Sequence, residues 1–185
     1  MNYVFHYESP IGGMTMTSDG ESLTGLMFDG ETYFEEVLGS ELIQEGQEAE
    51  RLPVFQETIK WLDTYFQGRV PEFTPKLVIT GSPFRKRVCQ IMLTIPYGHT
   101  MSYGQIAEII AKERGIKKMA AQAVGGAVGH NPISLIIPCH RVVGSDGSLT
   151  GYGGGIEKKS ALLELERSGS LARDWSICFL PMAKR

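Results

Sequence analysis

Cysteine is scarce in this sequence: Cys89, Cys139 and Cys178 are the only three in 185 residues. Odd in number and far apart, they make neither a disulfide framework nor a zinc-type spacing. No apolar run approaches the ~18 residues that a membrane helix needs, so no membrane association is expected. The opening Met1-Asn2-Tyr3-Val4 has no basic cluster, and His6, Glu8 and Ser9 interrupt any apolar stretch. No secretory leader is expected from that pattern. Internal repeats and low-complexity segments are also missing, which excludes a repeat architecture. What remains is ordinary globular composition, 42% hydrophobic and 21% charged, in a chain long enough for one large domain or two small ones. A thiol kept free needs a reducing compartment, so a cytoplasmic setting is expected.

Charge of either sign is modest overall, a net of −3, but it is unevenly placed. Residues 1–83 carry four basic and fourteen acidic side chains; residues 84–185 carry fourteen basic and seven acidic. The whole-chain value argues against a polyanionic partner, and the second half alone argues for one. Two halves of opposite sign also attract each other.

The first half reads as strands, then a helix. Tyr3-Val4-Phe5-His6-Tyr7 is aromatic and β-branched, Pro10-Ile11-Gly12-Gly13 is a turn, and Met14-Thr15-Met16-Thr17 alternates. Ser18-Asp19-Gly20-Glu21 is a second turn before a strand from Leu23 to Phe28, so a meander is expected. Glu31 to Glu50 is acidic and reads as a loop or a short exposed helix. Pro53 to Phe66 spaces its apolar residues helically, and Gly68 ends it. Leu77-Val78-Ile79 reads as a short strand. Thr80-Gly81-Ser82-Pro83 is a domain boundary by its turn residues and by the change of charge.

The second half is better punctuated. A helix is expected from Pro83 to Leu93. Ser102-Tyr103-Gly104-Gln105 is a capping box opening a helix that ends near Gly115. Met119 to Gly129 follows as a second helix, giving helix–turn–helix. This second helix is built of small residues, and its Gly125-Gly126 pair lowers helix propensity by ~1 kcal/mol per glycine relative to alanine. A flat surface of that kind lets another backbone come close, from a packed helix or a nucleic-acid strand. Val142 to Leu149 reads as a hairpin turned at Asp146-Gly147, a wing in this setting. Gly151-Tyr152-Gly153-Gly154-Gly155 is a flexible loop suited to a flat ligand. Ile156 to Arg167 is a helix with Ala161, Leu162, Leu163 and Leu165 inward. Glu166 sits in its last turn, where the helix dipole disfavours a carboxylate, so a partner elsewhere is expected.

All of this surrounds Asn131-Pro132-Ile133-Ser134-Leu135-Ile136-Ile137-Pro138-Cys139-His140-Arg141-Val142-Val143. An apolar, strand-forming run delivers a thiol, followed at once by an imidazole and a guanidinium. A cysteine held against positive groups favours the thiolate at neutral pH, so Cys139 reads as a nucleophile.

From Ser102-Tyr103 through Gly125-Gly126, Asn131-Pro132, Pro138-Cys139-His140-Arg141-Val142-Val143 and Gly154-Gly155 to Leu162-Leu163-x-Leu165-Glu166, the chain resembles the O6-alkylguanine-DNA alkyltransferases, the methylated-DNA–protein-cysteine methyltransferases. The match spans roughly residues 84–167 in order and spacing; residues 1–80 are similar only in kind. The resemblance implies an α/β architecture: an N-terminal ribonuclease-H-like α/β domain over 1–80, a C-terminal, mostly helical winged helix-turn-helix domain over 81–170 for DNA binding and alkyl transfer, and a tail over 171–185. It implies direct, irreversible transfer of an alkyl group from guanine O6, with O4-alkylthymine as a further substrate class, to Cys139. The target base must be flipped out of the duplex, at a cost of a few kcal/mol.

The resemblance also assigns roles. His140 acts as base through a bridging water, with Glu166 orienting it, the logic of nucleophile, base and orienter. Tyr103 donates to N3 of the departing guanine. Val142 and Gly153 line the base pocket with backbone groups. Asn131 is a hinge tying the second helix to the active-site loop, and Arg141 joins the substrate- and DNA-facing set without a clear task. Ala121, Gln122 and Gly125 face DNA on the second helix, which enters the minor groove, only ~6 Å wide. Arg114, Lys117, Lys118 and Arg85 to Arg87 are candidates for phosphate contacts. No cofactor and no metal are implied, and a monomer is expected. Gln122 departs from the family pattern, which has arginine there to fill the gap left by the flipped base. The competing readings are a cysteine hydrolase, for which adjacent Cys and His are poor geometry, and a DNA-binding damage sensor or regulator without alkyl transfer.

Overall fold

The structure is a computed structural model that describes residues 2–33, 43–44 and 47–171. The alternating and aromatic runs form the expected meander: β1 (Asn2–Ser9), β2 (Gly12–Ser18) and β3 (Leu23–Phe28). They pair antiparallel, with Tyr7 opposite Met14 and Met14 opposite Phe28. In the second turn, Asp19 Oδ1 accepts from the Glu21 and Ser22 N–H groups at 2.9 and 2.7 Å, an Asx-turn. Met14, Met16, Leu23, Leu26 and Phe28 are fully buried. A strand without sequence signal, β4 (Ile43–Gln44), runs parallel to the start of β1 and gives the order β3-β2-β1-β4. Two residues are too few to show periodicity. The acidic stretch yields a single turn, α1 (Gln47–Glu50); its positions 34–42 and 45–46 lie outside the described residues.

Helix α2 (Pro53–Phe66) starts on a proline, whose missing N–H is unpaired at a helix start anyway. Its buried residues, Val54, Phe55, Thr58, Trp61, Leu62 and Tyr65, form one stripe packed on β1 and β2. The strand expected at Leu77–Ile79 is reduced to one bridge, Leu77 beside Leu23. Then come α3 (Pro83–Met92), β5 (Met101–Ser102) and α4 (Tyr103–Glu113). The capping box of α4 is present in both directions: Ser102 Oγ accepts from Gln105 N–H at 3.1 Å, and Gln105 Oε1 from Ser102 N–H at 2.7 Å. Such a cap is worth about 1 kcal/mol. Helix α5 (Ala121–Gly129) packs across α3 and α4, and α6 (Ile156–Ser168) ends on left-handed Gly169.

Two sequence expectations are corrected. The apolar run before Cys139 is a buried loop, not a strand, ending in a one-turn 3-10 helix, Cys139–Arg141. Pro132 and Pro138 offer no N–H to a ladder, and Leu135 takes a φ of 69° that breaks extension. The loop instead borrows the free edge of β3: Leu26 N–H donates to Pro132 O at 2.9 Å and Ser134 N–H to Leu26 O at 2.6 Å. The second correction concerns the wing. The chain does turn at Asp146-Gly147, with Gly144 N–H donating to Ser148 O at 2.8 Å. However, β6 (Val142–Val143) pairs parallel with β5, and the glycine-rich stretch after the turn supplies no returning strand.

Candidate active site

Cys139 begins the 3-10 turn and is only 6% exposed. Asn131, just beyond α5, donates from Nδ2 to Cys139 Sγ at 3.1 Å and to Ile137 O at 2.7 Å, while its Oδ1 accepts from Ile133 N–H at 3.1 Å. One side-chain amide thus holds both ends of the active-site loop and the sulfur. Burial pushes the thiol up to about 12; Asn131 and the Lys159 cation oppose the shift, and Glu31 adds to it. The resting nucleophile is therefore a thiol. The thiolate inferred from the neighbouring imidazole and guanidinium does not form at rest, because both side chains turn away from the sulfur toward Glu166.

There the geometry is dense. His140 Nε2 lies 2.6 Å from Glu166 Oε1. Arg141 Nε donates to Glu166 Oε2 at 2.9 Å, Arg141 Nη2 to Oε1 at 3.0 Å, and Arg141 Nη1 to Ile95 O at 2.6 Å. Gly98 N–H donates to Glu166 Oε2 at 2.9 Å and Tyr65 Oη to Oε1 at 2.8 Å. Burial alone would raise the Glu166 carboxyl, but the donors from His140 and Arg141 outweigh it and hold it at about 2. His140 is fully buried, and burial lowers its pKa. A neutral ring against an acceptor-only carboxylate must donate from Nε2. Nδ1 then carries the lone pair, and it is buried without a partner among the described residues. The arrangement yields a base aimed away from its orienting carboxylate. Arg141, placed among the DNA-facing residues on sequence grounds, is instead a buried clamp on Glu166, 9% exposed.

Four further residues belong to the site. Tyr65, from α2, touches both Glu166 and His140 Nε2, the latter at 3.2 Å. Lys159 is fully buried and donates to Val142 O at 2.6 Å and Thr150 O at 3.1 Å, which also occupies the carbonyl of Val142. Burial lowers the Lys159 pKa, against the pull of Cys139. Glu31 and Ser134 share a small cavity with Cys139. Ser134 stands inside the run that carries Cys139, and Lys159 had a local signal, an inward position on α6 one turn before Leu162-Leu163. Tyr65 and Glu31 lie in the half with no motif.

A groove of about 820 Å³ opens beside the thiol, lined by Tyr103, Ala121, Gln122, Gly125, Tyr152 and Gly153 among others. Ala121 and Gln122 are exposed on it. Tyr103 Oη donates to Thr150 O at 2.8 Å. Asn131 and Gly153 line the inner cavity; Val142 is buried and lines neither. Of the candidate phosphate ligands, Lys117 and Lys118 edge a second hollow beside α4, Arg87 is engaged with Glu113, and Arg114 lies 5.3 Å over the Phe84 ring. Among the described residues, no group of three or more His, Cys, Asp or Glu is placed to hold a metal, and no helix is long and apolar enough to cross a membrane.

The chain matches two family models: the ribonuclease-like domain of 6-O-methylguanine DNA methyltransferase over residues 2–79, and the DNA-binding domain of the same family over residues 83–168. It is 44% identical over 171 residues to the methylated-DNA–protein-cysteine methyltransferase of Mycobacterium tuberculosis, covering 89% of this chain and 94% of that one. The Haemophilus influenzae protein of the same name is 40% identical over 166 residues, covering 89% and 86%. Among solved structures, Mycobacterium tuberculosis OGT in complex with DNA superposes with a TM-score of 0.77 at 42% identity, covering 92% of this chain and 96% of that one. The O6-methylguanine-DNA methyltransferase of Pyrococcus kodakaraensis superposes at 0.55 and 26% identity, covering 90% and 99%. With both halves of the chain matched, and with relatives more than 40% identical over nearly its whole length, the chain belongs to the 6-O-methylguanine DNA methyltransferase family.

Proposed function

We propose that this protein repairs DNA by moving the alkyl group of O6-alkylguanine onto Cys139, once per molecule. The observation that carries this reading is Asn131 holding the sulfur at 3.1 Å, at the inner end of the groove. In the reaction, the sulfur–carbon bond forms as the carbon–O6 bond breaks. The thiol proton goes to His140 Nδ1, relayed by a water as the family resemblance implies. Glu166, held down by Arg141 and Tyr65, stabilises the imidazolium that results. The bonding pair of the broken bond stays with guanine. Tyr103 supplies a proton donor at guanine N3, exchanging its bond to Thr150. A protonated resting thiol fits this scheme, since the proton needs to leave only when a substrate is in place. The product is a thioether, with no carbonyl for water to attack, so the step does not reverse.

For binding, the exposed small-residue face of α5 suits close approach in the minor groove, with Gln122 taking the space of the extruded nucleotide. Gly153 lines the pocket for the flipped base, and phosphate contacts from Lys117 and Lys118 set affinity. The protein acts as a monomer in the cytoplasm, without cofactor or metal. The test is mass spectrometry after incubation with duplex DNA carrying O6-methylguanine. The expected result is one added methyl on the Cys139 peptide, guanine restored in the DNA, and no turnover beyond one equivalent. An unmodified Cys139 in folded, reduced protein that still binds the duplex would overturn the reading.

A further inference from the structure

We infer that Glu31, from the sheet half of the chain, forms the end wall of the cavity that receives the transferred group and restricts transfer to groups of about methyl size. The inference rests on the alkyl-transfer reading above. The cavity at the sulfur is bounded by Glu31, Asn131, Ser134, Cys139, Tyr152 and Gly153 and measures about 10 Å³. That is room for a single water-sized group. A methyl fits; an aromatic ring does not.

Glu31 is held there by its surroundings. Its backbone N–H donates to Phe28 O at 3.1 Å, closing the turn after β3 with Gly30 in the left-handed region. The side chain then runs inward and the residue is only 8% exposed. Ser134 Oγ lies 3.3 and 3.4 Å from the two carboxyl oxygens. On the other side, a methyl placed on Gly153 would meet Glu31 Oε2 at 3.3 Å, and one on Gly154 would meet Oε1 at 3.2 Å. The carboxyl is thus wedged between the active-site loop and the glycine loop, touching both. Burial raises this carboxyl to about 7, against the pull of Lys158 and the Ser134 hydroxyl, as expected for a group with little access to water. A bulky apolar adduct would have to displace it or press against it. One excess methylene in a fitted pocket already costs roughly 10- to 200-fold in discrimination, and a benzyl group exceeds the space by a whole ring.

The test compares single-turnover transfer to Cys139 from duplexes carrying O6-methylguanine or O6-benzylguanine, read by peptide mass, for wild type, Glu31→Ala and Glu31→Gln. Wild type is expected to favour methyl by about 100-fold or more. Glu31→Ala, which opens the cavity toward the turn after β3, should raise the benzyl-to-methyl rate ratio at least about tenfold. Glu31→Gln keeps the size and removes the charge, so its ratio should stay within about threefold of wild type. A wild-type ratio near one, an unchanged ratio in Glu31→Ala, or an equal gain in Glu31→Gln would each overturn the size argument. Failure of wild type to transfer methyl at all would instead sink the alkyl-transfer reading on which it stands.

Discussion

Removing one hydroxyl, by Tyr65→Phe, tests how far the first half of the chain enters the chemistry. Tyr65 Oη donates to the ionised Glu166 at 2.8 Å inside the protein. A hydrogen bond to a charged group is worth about 1.5–3 kcal/mol. The phenyl ring would keep its stacking on Trp61 at 5.3 Å and its edge contact with Tyr97 at 5.9 Å, so the hydroxyl is the only loss. Glu166 Oε1 would still accept from His140 and Arg141, which places the cost toward the lower end of that range. For a chain of this length each kcal/mol moves the melting temperature by about 2–4 °C, so a fall of about 3–8 °C is expected. The transfer rate should drop by less than about tenfold, because Glu166 still orients His140. Differential scanning fluorimetry and single-turnover methyl transfer read the two quantities. A melting temperature within 1 °C of wild type would refute the role given to this hydroxyl.

Three other outcomes follow from the site. Glu166 is depressed to about 2, so its stabilising contribution, on the order of 3 kcal/mol, is complete above the ordinary carboxylate range and is lost as pH falls toward 2. Glu166→Gln should flatten that acid limb in denaturant titrations, and an unchanged limb would contradict the assignment. Cys139, pushed up to about 12 by burial, should react with iodoacetamide at neutral pH more slowly than an ordinary free cysteine; rapid labelling of the native protein would show a resting thiolate. Gln122→Arg adds a cation on the exposed face of α5 and should tighten duplex binding at low salt and steepen its salt dependence; equal affinity at low salt would count against the groove assignment.

What was legible in the sequence was what is local. The capping box at Ser102 and Gln105 announces α4 because both partners lie within one turn. The Cys139-His140-Arg141 run announces a nucleophile because its members are adjacent. The direction in which those neighbours point was not legible. Adjacency suggests that the imidazole and the guanidinium serve the sulfur, whereas the 3-10 turn sends both to Glu166. The partners of the site from the first half were hidden for a related reason. Tyr65 reads as one more apolar position on α2, and Glu31 as one of many acids in an acidic stretch. Their roles arise only from packing across 101 and 103 residues of chain, to Glu166 and Ser134 respectively. The apolar loop misled in the opposite sense, since its composition is that of a strand while two prolines and a left-handed leucine forbid one.

Glu166, where α2, the active-site loop and α6 meet, also sets a clock. During synthesis the thiol at 139 is made before the carboxylate at 166. A chain grown just past Cys139 therefore has a cysteine without its oriented base. Competence arrives only when α6 has emerged and docked. The sulfur and its oriented base thus become a working pair only in the completed fold.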